Sequence, residues 1–252
     1  MKKILCVFGA LCMLLSSCSS DDDSSLILIK KIVEINNDGD NFTVNYTYDG
    51  NKISEEAAQE GDHNYKVTYS YDGNLITSMA ESSKGHVDVI TTLTYNGYNL
   101  QTILVDEIDG TKHYITKTYY THNVDGSVAY KKVDVNQETK AETNVRTGKL
   151  TYTDGNLVKE ENVNSSETSI IVYEYDTKNS PFKNVVGVDL LLDNSELGYS
   201  KHNKIKETTT LSLSSSNLVY TSTFSYDGND FPTEAKHFNK EGKTEGSTQY
   251  FY

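Results

Sequence analysis

The 252-residue chain carries 23 basic and 36 acidic residues, a formal charge of −13, with 19 Tyr, no Trp and one Arg, Arg146. That balance disfavours nucleic acid and anionic headgroups as partners, because phosphate recognition draws on clustered cations and on the planar fork of Arg. Cys6, Cys12 and Cys18 all lie near the start, which leaves no basis for a disulfide framework, thiol catalysis or a cysteine-ligated metal.

Lys2 and Lys3 precede an apolar stretch from Ile4 to Leu15, and Leu15-Ser16-Ser17-Cys18 follows. A positive segment, a short apolar segment and small residues mark a secretory signal; crossing a bilayer as a helix takes roughly 20 apolar residues. The four residues at 15 to 18 resemble the bacterial lipobox. That resemblance implies removal of residues 1–17 and attachment to the membrane through lipid on Cys18. Loss of Lys2 and Lys3 leaves 21 basic against 36 acidic residues, or −15. Residues 18–25 contain Asp21-Asp22-Asp23 among serines and nothing apolar after the cysteine, the composition of a flexible tether. An acidic run in this place resembles the surface-export signal of Bacteroidota lipoproteins. It implies an outer-membrane, lipid-anchored protein at the cell surface, with the periplasmic face as the alternative.

From residue 26 onward a turn signal recurs. Tyr48-Asp49-Gly50-Asn51, Tyr71-Asp72-Gly73-Asn74 and Tyr226-Asp227-Gly228-Asn229 are identical, and looser copies stand at Tyr95-Asn96-Gly97, Val124-Asp125-Gly126, Tyr152-Thr153-Asp154-Gly155-Asn156 and Tyr175-Asp176. Asp-Gly between alternating segments signals a hairpin, since tight turns need positive φ, so Gly50, Gly73 and Gly228 are expected there. The segments entering these turns alternate with a period of two, as in Val44, Tyr46, Tyr48; Val67, Tyr69, Tyr71; and Ile171, Tyr173, Tyr175. Each set therefore shares one strand face. With Pro only at 181 and 232, little interrupts pairing. The expectation is a single all-β domain over 26–252, an antiparallel meander of about a dozen strands in a curved or barrel-like sheet. Its rhythm lapses in an insertion near 180–206, read as a loop with one or two helical turns.

The Tyr-Asp-Gly-Asn turns, Tyr173-Glu174-Tyr175-Asp176 and Asn179-Ser180-Pro181-Phe182-Lys183-Asn184 resemble Bacteroidota lipoproteins carrying a domain of unknown function with a porin-like, all-β fold. The resemblance covers about residues 26 to 252 and implies that fold, with no catalytic residues to transfer. A weaker similarity to the tyrosine-aspartate repeats of bacterial shell proteins lacks their longer, arginine-bearing form and implies no encapsulating role.

The remaining motifs are bland. The six histidines show no metal-ligand spacing, and they read as exposed turn or strand residues. Gly242-Lys243-Thr244 lacks the upstream glycine of a phosphate loop, and the oxygen-rich run from Asn36 to Asn41 has Thr47 where a calcium loop needs its closing glutamate. No cofactor is expected. The tyrosines admit a sharper reading, in which Tyr46, Tyr48, Tyr69, Tyr71, Tyr173 and Tyr175 form a ligand face for extracellular glycan or peptide; the competing reading makes them the core of a Leu-poor sheet. The function expected is a non-catalytic surface module that binds or scaffolds extracellular material. The rivals are a carbohydrate-active enzyme and an outer-membrane porin-like barrel, the latter opposed by outward residues such as Lys, Glu and Asn where lipid would demand apolar ones.

Overall fold

A computed structural model describes residues 26–37, 39, 41–192, 199–214 and 217–252; the signal segment, Cys18 and the tether through residue 25 lie outside the described residues. The first eight strands are β1 (Lys31–Asn36), β2 (Asn41–Asp49), β3 (Lys52–Glu60), β4 (His63–Asp72), β5 (Leu75–Ser83), β6 (His86–Asn96), β7 (Asn99–Asp109) and β8 (Lys112–His122). The second eight are β9 (Val128–Val135), β10 (Glu142–Thr153), β11 (Asn156–Val163), β12 (Thr168–Tyr175), β13 (Lys204–Leu211), β14 (Leu218–Tyr226), β15 (Pro232–Phe238) and β16 (Thr244–Phe251). Each pairs antiparallel with its sequence neighbours, and β1 pairs with β16, closing a 16-stranded meander barrel. The count exceeds a dozen because the return turns are as tight as the tyrosine turns: Glu60 pairs with His63, Ser83 with His86 and Asp109 with Lys112.

The period-two pattern sets the two faces. Val44, Val67, Leu93 and Tyr173 are buried inside, and Tyr46, Tyr48, Tyr69 and Tyr71 pack against the apolar cluster that holds the last three. Their neighbours Thr43, Asn45, Thr47, Lys66, Thr68 and Ser70 therefore face outward. Outward pairs such as Thr94 with Thr102 (2.7 Å) and Lys66 with Glu55 (2.9 Å) are polar and cross-strand. Pro232 opens β15, a place where no ladder donor is lost.

At Gly50 and Gly73 φ is 63° and 56°, and each glycine is the first central residue of a two-residue turn, between paired Asp49 and Lys52 and between paired Asp72 and Leu75. Gly228 departs from the expectation, since it is not left-handed and Asp230 (φ 66°) takes that conformation instead. The physical reason is a longer loop. Asp227 Oδ1 accepts from the backbone N–H groups of Asn229 and Phe231, both at 2.9 Å, and this caps the turn by side chain.

The segment between β12 and β13 leaves the sheet and closes one end of the barrel, with a 3-10 turn at Val188–Leu190 as the regular structure among its described residues. Phe182, Val185, Val188 and Leu191 are buried and join one cluster with Ile53, Ile76, Leu100, Val128, Leu150 and Leu157, which come from strands around the wall. Val186 N–H donates to Asn51 O (3.0 Å) and Asn184 Nδ2 to Ile27 O (2.9 Å). A Cβ on Gly187 (φ 87°) would lie 2.8 Å from Asn74 O, so glycine lets this plug seat on the β4–β5 turn. The described chain begins at this plugged end, where Ile29 is fully buried.

Candidate functional site

The structure places all six tyrosines of the expected ligand face on the inner wall. Tyr69 OH donates to Glu56 at 2.6 Å and Tyr173 OH to Glu160 at 3.2 Å, each spanning to the adjacent strand. Tyr48 OH donates to Ile29 O at 2.6 Å and Tyr175 OH to Leu157 O at 2.7 Å. Tyr46 meets Phe182 of the plug edge-on, with ring centroids 5.5 Å apart. Tyr173 is only 7 % exposed. Burial holds the hydroxyls of Tyr46, Tyr48, Tyr173 and Tyr175 above the ordinary tyrosine range and pushes Tyr71 up to about 12. These rings line a lumen and brace its plug; they do not form an open strip on an outer sheet face.

A cavity of about 590 Å³ lies against Pro181 and Phe182 and the wall formed by β1 and β13 to β16. Its aromatic lining comes from Phe182, Tyr220, Phe224 and Tyr250, and its charged groups include Glu34, Lys204, Glu207 and His237. Lys204 Nζ and Glu207 Oε2 lie 2.7 Å apart and satisfy one another. Glu34 makes no ion pair or hydrogen bond among the described residues. Open to the lumen but walled by protein, its carboxyl is held above the ordinary carboxylate range by burial, and its charge in turn raises Tyr46 and Tyr250. A carboxylate flanked by rings can accept from hydroxyl groups and can hold a cation.

Sequence reasoning did not single out Glu34 or His237. His237 is half-buried, with Nδ1 2.9 Å from Ser222 Oγ and Nε2 2.8 Å from Thr248 Oγ1; burial first, and Lys204 second, lower its pKa. His113 (Nδ1 to Asp106 Oδ1, 2.8 Å), His122 (Nε2 to Leu100 O, 2.9 Å) and His202 (Nδ1 to Asn156 Nδ2, 2.9 Å) are likewise held by protein contacts, so the expectation of exposed histidines holds for His63 and His86 at the return turns and fails for these four. Alternation from Ile32 to Glu34 in a strand beginning at Lys31 is the signal that could have placed Glu34 inside. Among the described residues no group of three or more His, Cys, Asp or Glu is gathered as a metal site.

No family model matches the chain, and no curated protein matches it. Among solved structures, a porin-like protein from Bacteroides vulgatus ATCC 8482 superposes with a TM-score of 0.61 at 14 % identity, covering 90 % of this chain and 98 % of the other. A porin-like protein from Bacteroides uniformis ATCC 8492 gives 0.55 at 12 % identity, covering 88 % and 97 %. The likeness establishes a shared barrel fold.

Proposed function

We propose that the protein is a lipid-tethered barrel that binds extracellular material in its lumen and does no chemistry on it, with neutral or cationic ligands such as a glycan end or a short peptide as its class. The observation that carries this reading is the 590 Å³ cavity, which combines rings with Glu34, a carboxylate without a hydrogen bond or ion pair among the described residues. Its volume falls within the ~300–1,000 Å³ common for small-ligand sites. Rings with polar tips suit the flat apolar faces of sugars, and Glu34 suits hydroxyl or ammonium donors. A hydrolase would need two working carboxylates; here Glu207 is engaged by Lys204 and Glu245 accepts from Asn239 Nδ2 at 2.7 Å.

The polar outward rows support a barrel standing in water, since an embedded barrel shows lipid an apolar band about 25 Å tall. The porin-like alternative draws on the shared fold of the two Bacteroides proteins, whereas the plug argues for a cup. Lipid on Cys18, eight residues before Leu26, would hold the plugged end to the membrane and turn the open end away from it.

The test is a glycan and peptide array probed with the purified chain beside Glu34→Gln and Tyr250→Leu. Both variants are expected to lose wild-type binding while keeping wild-type circular dichroism. Binding confined to polyanions, equal binding by Glu34→Gln, or turnover of a bound polymer would sink the proposal.

A further inference from the structure

In a chain with a large acidic excess, the sole Arg and a lysine stand side by side inside the barrel. Lys132 on β9 and Arg146 on β10 are register partners, and both line a second cavity of about 270 Å³ on a stretch of wall apart from the first. Alternation places them inward with Tyr130 and Leu150. Arg146 Nη2 binds the Asp134 carboxylate, and its buried Nε has no partner among the described residues. Lys132 has neither an ion pair nor a hydrogen bond among the described residues. An ammonium left without a partner against a protein wall costs free energy, and a bound anion would remove that cost.

Apolar side chains form one part of the cavity, beside the polar Thr118, Thr147, Asn162 and Asn164. Tyr120, Leu150 and Leu157 are each 5 % exposed or less, and Leu192 of the plug joins them as a floor. Position 148, opposite Tyr130, is glycine. A Cβ there would lie 2.3 Å from Tyr130 Cζ and 2.3 Å from Glu161 O, so glycine lets the hydroxyl end of the Tyr130 ring sit against the β10 backbone. Val163, 45 % exposed, and Asn164 line the side nearest the open end. Glu160 also lines the cavity, but it accepts from Tyr173 OH at 3.2 Å, which turns one of its oxygens to the wall.

We infer that this cavity is a second binding site, for a small monocarboxylate with an apolar tail. The acid sits on Lys132 and the free edge of Arg146, and the tail on Tyr120, Leu150 and Leu157. This does not rest on the aromatic cavity; with Arg146 held by Asp134 and Glu160 lining the same cavity, the Lys132 ammonium is the cation that a bound anion meets at contact, and that near charge outweighs the screened distant field.

Isothermal titration of the full purified chain with octanoate, and separately with octanol and octylamine, decides the matter. Octanoate is expected to bind at least about tenfold more tightly than either, the strength of one charge-assisted contact. Lys132→Met is expected to abolish the preference of octanoate over octanol while leaving octanol binding unchanged, and Lys132→Arg to keep it. Glu34→Gln should leave octanoate binding intact, which separates this site from the first. No octanoate binding at millimolar concentration, equal binding of octanoate and octanol, or an unchanged preference in a folded Lys132→Met variant would overturn the inference.

Discussion

Two kinds of glycine do different work in this barrel. At Gly73 the backbone is left-handed with open space around it, so Gly73→Val should cost about 1–2 kcal/mol through backbone strain alone, while Gly228→Ala, in ordinary backbone, should fall within about 0.5 kcal/mol of wild type. Gly148 is the opposite case, with ordinary backbone and no room. Gly148→Ala should cost about 1–3 kcal/mol by overpacking against the Tyr130 ring and Glu161 O. Urea denaturation of the three variants checks the order. Ionisable side chains on the inner wall add a pH signature. Glu34 has a folded pKa above its unfolded value, so the stability it contributes is fully present below about pH 4.5 and lost as pH rises through the folded value. Glu34→Gln should therefore melt higher than wild type at pH 7 and converge with it near pH 4. His237 has a lowered pKa; the unfolded chain takes up its proton first as pH drops below 6.5, so stability falls in that window, and His237→Asn should flatten the fall.

Between a tyrosine turn and its returning strand lies a device that hid half the pattern. Register shifts fall immediately before Tyr48, Tyr71, Tyr95, Tyr152, Tyr175 and Tyr226. In the first, Thr47 pairs with Glu55 and Tyr48 with Ile53, leaving Ser54 as the extra residue. Such bulges bend a strand and increase its twist, and here they form a tier at the plugged end, where Tyr95 OH donates to Ile76 O at 2.9 Å. The entering segments keep strict alternation and were readable; the returning ones change phase at residues like Ser54 and Thr77, so Glu56 and Met79 gave no clean inward signal. Tyr-x-Tyr was legible as one face, but whether that face was open depended on closure and on the plug, which no local pattern encodes. Lys132 and Arg146 keep the alternation of Tyr130 and Leu150, but no local pattern shows that the register of two strands sets them side by side. The plug itself is testable. Phe182→Ala should cost about 3–5 kcal/mol as a buried aromatic truncation, and amide exchange should rise at Val186, whose N–H donates to Asn51 O and holds the plug down.

For the whole molecule, attachment and closure are separate questions. Cys18→Ser should move the protein from the membrane fraction to the soluble one; retention after a carbonate wash would remove the single-tether reading. Protease added to intact cells should digest the wild type if the Asp21–Asp23 run directs surface display, and replacing the three aspartates with alanine should then protect it. Closure has a kinetic side. Because β1 pairs with β16 over the register from Lys31 and Phe251 to Asn36 and Gly246, the first strand formed waits for the last. Joining chain ends this far apart is slow, since loop-closure entropy must be met before the contact rewards it. A chain emerging through a membrane would thus stay an open, extensible ribbon until its final hairpin is free, compatible with threading at every earlier stage and locked against reversal only at the end. A chain stopped before Thr244 should accordingly remain a ribbon with two raw edges, cut by protease throughout its length and prone to pairing with its own copies.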